Sequence, residues 1–283
     1  MRKIITWIIP IFLIITGAIA LIGLILIEQS LEKTLNPAIL DQEVELPSSL
    51  NATTLTITNS EKESLNAIYC EVPESSHVVL FCHGGQGHLY SYLDLIEQIK
   101  MLDVTVLAFD YRGFGLSDSV PISDETLIMD VKSGYNLLRQ RSWNPQNIIL
   151  YGQGLAAGIQ GEFLNDYSVG AWIMDNPIPS LQDAFTGKLF RLLTTNRLSL
   201  YNSLEKFTGA GLVCYDSDHV SDTVLTAIQT TNNRLTFCRL PVGQSQNTGR
   251  DWDFWTTCMQ HFFEKLGISK TTQTYRYFPK KQP

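Results

Sequence analysis

The sequence predicts an α/β fold with a mainly parallel sheet, preceded by one membrane-spanning helix, and two observations predict it. Short apolar runs rich in β-branched residues alternate along the chain with stretches of helical spacing, as buried strands covered by helices on both faces require. Ahead of them, residues 4–27 form a run of 24 residues without a charge.

At 1.5 Å per residue that run makes a helix of roughly 36 Å, enough to cross a hydrocarbon core of about 30 Å with some tilt. Arg2 and Lys3 precede it and Glu28 and Glu32 follow it. The positive-inside rule therefore puts the N-terminus in the cytoplasm and the rest on the far side, in the periplasm of a bacterium or the lumen of a eukaryotic organelle. A cleaved signal peptide would have an apolar region of about 7 to 15 residues and a small-x-small exit; neither is present, so residues 1–28 read as an uncleaved signal anchor. Residues 29–51, polar and carrying Pro37 and Pro47, read as a tether, and 52–267 as the folded domain.

Within the domain, Thr54 to Thr58 and Leu65 to Glu71 are two short strands around the charged turn at Asn59 to Glu63. The next strand, His77 to Cys82, stops at Gly84 and Gly85, and Tyr92, Leu95, Ile96, Ile99 and Leu102 then mark a helix face. Val104 to Phe109 is a strand closed by Asp110. Ser123 caps a helix whose apolar face is Leu127, Val131, Tyr135 and Leu138. Ile148 to Tyr151 leads into a Gly/Ala-rich helix from Leu155 to about Asn165. Ala171 to Met174, Leu212 to Tyr215 and Leu235 to Leu240 complete the strands, and Trp252 to Leu266 is a terminal helix before the tail 268–283.

Composition bounds the function. The 283 residues carry 21 basic and 28 acidic side chains, a net charge of -7, which excludes a basic nucleic-acid footprint. With 44% hydrophobic and 17% charged residues the chain is not mainly disordered. Five cysteines form no CxxC pair and no Cys/His cluster at ligand spacing, so neither a metal, nor another cofactor, nor a disulfide framework is expected.

The strand ends carry the chemistry. His83-Gly84-Gly85 follows one strand, Asp110-Tyr111-Arg112-Gly113-Phe114-Gly115 the next, and Gly152-Gln153-Gly154-Leu155-Ala156 a third; Asp175-Asn176-Pro177 follows a fourth. In this order the chain resembles the α/β-hydrolase superfamily, most closely its members with a single N-terminal membrane span. The resemblance implies an eight-stranded, mostly parallel sheet with flanking helices and a lid over 180–206, apolar through Leu189, Phe190, Leu192 and Leu193.

It also implies a serine on the strand-to-helix turn, an acid after the seventh strand and a histidine after the eighth, with backbone N–H groups receiving the oxyanion. The serine position holds Gly154, the acid position Asp218, and the histidine position Gln246, or Ser245 with the loop shifted by one. A neutral amide is no general base near pH 7. The remaining pocket residues are His83, Gly84, Gly85, Gln153 and Leu155. The expected function is that of a pseudohydrolase, binding a protein partner or a small acyl or peptide ligand without turnover and without nucleic acid. A serine-type ester, thioester or peptide hydrolase with displaced machinery is the alternative.

Other candidates have ordinary readings beside chemical ones. His88 and Gln86 share the first loop, Cys82 ends a buried strand, and His219 follows Asp218 as a displaced base or as loop surface. Asp110 and Arg112 read as a turn pair. Cys70, Cys82, Cys214 and Cys238 fall in strands and Cys258 on the last helix, where buried free thiols are the expectation. Trp252, Trp255, Phe262 and Phe263 at helical spacing read as core.

Overall fold

A computed structural model describes residues 14–19, 21–23, 38–42, 44–179, 198–241 and 250–268. The apolar run at 4–27 lies largely outside them. Its described residues, 14–19 and 21–23, are helical, with Ile14, Ile15, Ile19, Leu21 and Ile22 exposed. Among the described residues no helix is long and apolar enough to cross a membrane.

Eight strands form one sheet in the order β1-β2-β4-β3-β5-β6-β7-β8. They are β1 (Ala52–Thr58), β2 (Ser64–Cys70), β3 (Val78–Cys82), β4 (Thr105–Phe109), β5 (Ile148–Gln153), β6 (Ala171–Asp175), β7 (Ala210–Tyr215) and β8 (Thr236–Arg239). The pairs β1–β2 and β2–β4 are antiparallel and every later pair is parallel. The helices are α1 (Leu93–Lys100), α2 (Asp124–Gln140), α3 (Leu155–Phe163), α4 (Leu200–Lys206), α5 (Asp222–Thr231) and α6 (Trp252–Lys265). The sequence reading places α4 in the lid at 180–206 and assigns no helix to α5.

Alternation of side chains across the sheet makes two cores. Val78, Leu80 and Cys82 of β3 pack with α2, α3, α4 and α5 on one face, while Val79 and Phe81 pack with α1 and α6 on the other. The aromatic stripe of α6 is core as expected, Trp255, Phe262 and Phe263 being buried. Ser123 and Thr126 form a reciprocal capping box at the start of α2.

Three local arrangements differ from the sequence reading. The segment before β1 is not a free tether: Leu50 is buried and Leu40 and Leu46 rest against the second core. Arg112 turns away from Asp110 and pairs with Asp130 at 2.8 Å, Glu61 at 2.6 Å and Glu63 at 2.8 Å, because the positive φ of Gly113 and Gly115 folds the loop back towards α2. Cys238 and Cys258 form a disulfide, since α6 returns over β8 and brings their Cα atoms to 6.2 Å across 20 residues of sequence. No spacing rule reveals such a pair; Cys70, Cys82 and Cys214 are buried free thiols.

Candidate functional site

The parallel strands end together at one edge of the sheet. Cys82 pairs with Gly152, Gln153 with Asp175, Asp175 with Cys214 and Tyr215 with Arg239, which sets His83, Gly154, Asn176, Asp216 and Leu240 side by side. From β3 the chain crosses to β4 on one side and then to β5 on the other, so the loops after β3 and β5 flank the topological switch point, where open α/β sheets bind ligands.

Gly154 sits between β5 and α3 with φ 56 and ψ -120, a conformation that side chains strongly disfavour. Its N–H donates to Asp175 O at 2.9 Å and its carbonyl accepts from Ile178 N at 3.1 Å, so strands β5 and β6 hold the turn in place. A Cβ at 154 would have Ile178 Cδ1 as its nearest neighbour at 3.9 Å, ordinary contact. The turn thus has the shape that presents a nucleophile, with space for one, and presents none. Gly152 is different: a Cβ there would come within 2.4 Å of Gln160 Oε1 and 2.9 Å of the Ala157 backbone, so glycine is what lets α3 lie on β5.

Behind the turn lies a buried ion pair that the sequence reading did not contain. Asp175 Oδ2 accepts from Tyr151 OH at 2.7 Å and from Arg250 Nη2 at 2.8 Å, with both charged side chains fully buried. Arg250 also lies 5.6 Å and 5.9 Å from the ring centres of Trp252 and Trp255. Burial pushes the Tyr151 phenol well above its ordinary value, and the Asp175 charge beside it acts in the same direction. A lone arginine after a loop gives no sequence signal of this kind.

The loop after β3 is fixed from within. His83 is buried, its Nδ1 donating to Gly84 O at 2.6 Å, its ring stacked on Tyr92 and edge-on to Tyr111 and Phe114. Its Nε2 is 3.4 Å from Asp110 Oδ1 without hydrogen-bond geometry. His83 therefore shapes the turn from a buried position. Gly84 lies against Tyr92 OH and Gln153 Oε1, Gln153 and Leu155 are buried, and Gly85 and Gly154 are half-buried. Burial raises the Cys82 thiol to about 12, against hydrogen bonds with Gln160 and Tyr111, which leaves it inert.

At the end of β7 the buried carboxylate is Asp216, and Asp218 is exposed. Asp216 Oδ1 accepts from the backbone N–H groups of Asp218 and His219, each at 3.0 Å, and meets His219 Nδ1 at 2.8 Å. Its own N–H donates to Asn176 Oδ1 at 2.8 Å. Burial alone would raise Asp216, but the His219 hydrogen bond and charge and the two backbone donors outweigh it and hold the carboxyl below its usual value. Gln246 and Ser245 lie outside the described residues, as do 180–197 of the lid. A groove of about 480 Å³ opens elsewhere, between β1 and α2, lined by Thr56, Asn59, Lys132 and Asn136 and by none of the residues above. Among the described residues no group of His, Cys, Asp and Glu could hold a metal.

Against known families, the model described as serine aminopeptidase, S33, matches residues 73–221, more than half of the chain. The chain belongs to this α/β-hydrolase family. One relative in the superfamily is the uncharacterized protein YfhR of Salmonella typhi, 31% identical over 121 residues, 41% of this chain and 41% of YfhR. Another is the human α/β-hydrolase domain-containing protein 17C, 32% identical over 113 residues, 38% of this chain and 33% of that protein. The matched part is under half the length of either relative. Among solved hydrolase structures, the Pyrococcus furiosus esterase PF2001 aligns with TM-score 0.64 at 17% identity over 82% of this chain and 97% of its own. Est1E of Butyrivibrio proteoclasticus, solved with ferulic acid, aligns with TM-score 0.63 at 16% identity over 76% of this chain and 100% of its own. At such identities the likeness is one of fold.

Proposed function

We propose that this member of the hydrolase family is a membrane-anchored pseudohydrolase, a binding or assembly module that takes a protein partner or a small acyl or peptide ligand at the Gly154 turn. The observation that carries the reading is Gly154 itself: the turn has the backbone of a nucleophile elbow and no side-chain oxygen or sulfur on it. The charge-free run at 4–27 with Arg2 and Lys3 before it supports a single span with a cytoplasmic N-terminus. The Cys238–Cys258 bridge supports an oxidising compartment for the domain, periplasmic or lumenal.

The test is hydrolysis of p-nitrophenyl esters by the full chain in detergent micelles, beside a Gly154→Ser, Gln246→His double variant. Turnover confined to the double variant supports the proposal; turnover by the unmodified chain overturns it. Carbonate extraction of membranes tests the anchor separately, since a released chain has none.

One observation favours the alternative, a hydrolase with displaced machinery. Asp216 holds the His219 imidazole at 2.8 Å, which is the acid–base half of a triad. Were that pair catalytic, His219→Ala would abolish any turnover found in the unmodified chain.

A further inference from the structure

The segment between the proposed anchor and the domain does more than connect them. Leu40 N donates to Gly115 O at 2.8 Å, Gly115 N donates to Ala38 O at 2.9 Å, and Ala38 N donates to Gly87 O at 3.2 Å. Ile39 forms a parallel bridge with Gly115 and stays exposed, while Leu40 rests on the second core. Three consecutive residues thus tie together the loop after β3 and the loop after β4.

The tie reaches further through one carboxylate. Gly115 lies directly on Asp110, so closely that a Cβ at 115 would fall 2.0 Å from Asp110 Oδ2. Asp110 Oδ1 in turn accepts from Leu89 N at 2.6 Å, and Asp110 N donates to Asn66 O at 2.8 Å. Tyr92 OH donates to Gln86 O at 2.8 Å. The loop 83–89 is therefore gripped at Gly87 by the strap, at Leu89 by Asp110, and at Gln86 by Tyr92. This same loop faces Gln153 beside the Gly154 turn.

We infer that residues 38–40 are a built-in strap that positions the binding loop 83–89, so that the geometry at the Gly154 turn depends on the N-terminal segment being docked. The inference rests on the reading of this turn as the ligand site, and it makes the chain leading to the anchor a structural part of that site. If the anchor at 4–27 spans a membrane, about ten residues separate its end from Ala38, at most roughly 35 Å of chain, so the loop stays within that reach of the bilayer.

The strap is tested in the full chain in detergent micelles with Leu40→Pro, which deletes the N–H that bonds Gly115 O, and with Leu40→Ala, which keeps it. Ala38→Pro, which deletes the N–H to Gly87 O, is the second variant should Leu40→Pro not fold. Hydrogen exchange read at the Gly115 and Leu89 amides is expected to rise at least tenfold in either proline variant and less than threefold in Leu40→Ala. The second readout is a thiol placed on the turn by Gly154→Cys, where a Cβ has ordinary space. The other cysteines are buried or bridged, so its labelling rate with a disulfide reagent is specific. That rate is expected to change at least threefold when Leu40→Pro is added. Faster exchange at Gly115 alone, with Leu89 and the thiol unchanged, would overturn the coupling, and no change at Gly115 would overturn the strap. Neither outcome depends on whether the unmodified chain hydrolyses esters or resists carbonate extraction, the results that decide the proposed function.

Discussion

Gly154→Ala separates backbone strain from crowding at the turn. The φ of 56 and ψ of -120 there cost a non-glycine residue about 1–3 kcal/mol. Replacing glycine also restricts the unfolded chain, which returns about 0.4–1 kcal/mol. Crowding adds nothing, because the nearest atom to the new Cβ is 3.9 Å away. The net expectation is a loss of up to about 2.6 kcal/mol, or up to roughly 10 °C in melting temperature for a domain of this size. Urea denaturation followed by circular dichroism measures it, with Gly152→Ala as the comparison. That substitution must push into the Gln160 amide and the Ala157 backbone, at 2.4 Å and 2.9 Å, and is expected to lose more. A clearly stabilising Gly154→Ala would mean that residue 154 adopts an ordinary negative φ and that the elbow does not exist, which would remove the ground for the proposed function.

Three further outcomes follow from buried charges and the bridge. Arg250→Met leaves Asp175 buried without its cation and is expected to cost about 3–5 kcal/mol in chemical denaturation, whereas Arg250→Met with Asp175→Leu recovers most of the loss; equal losses would show that the pair is not coupled. Cys258→Ser opens a 20-residue separation and is expected to cost roughly 3 kcal/mol, read as a lower urea midpoint under non-reducing conditions, and to make stability insensitive to dithiothreitol. Asp216 is held below its ordinary value, so its contribution is present above the unfolded carboxylate pKa of about 3.9 and lost as pH falls through the lower folded value. Urea midpoints of the native chain and Asp216→Asn should therefore differ at pH 6 by an amount that narrows as pH falls below about 4, and His219→Ala should shrink the difference at pH 6; a difference that stays constant from pH 6 down to pH 3 refutes the role of the charge.

The wall of the site was legible in the sequence and its floor was not. Gly152 in β5 marks the close approach of α3, Gly113 marks a loop turning with positive φ, and each requirement leaves a glycine as its signature. Gly154 is readable for the same reason. The acid is harder: the resemblance puts it at Asp218, but the turn after β7 directs Asp216 inward to His219 and leaves Asp218 facing solvent.

What the sequence by itself determined is the α/β class, the order of the strand-end motifs and the glycine at the turn between β5 and α3, because each is a local rule of periodicity, turn geometry or side-chain chemistry. What only the tertiary structure decided is which distant groups meet: Arg250 with Asp175, Arg112 with Asp130, Cys238 with Cys258, and the strap 38–40 with Gly87 and Gly115. Such pairings depend on how helices return across the sheet, and a buried charge or thiol is specified by the partner that packing supplies, which no local pattern records.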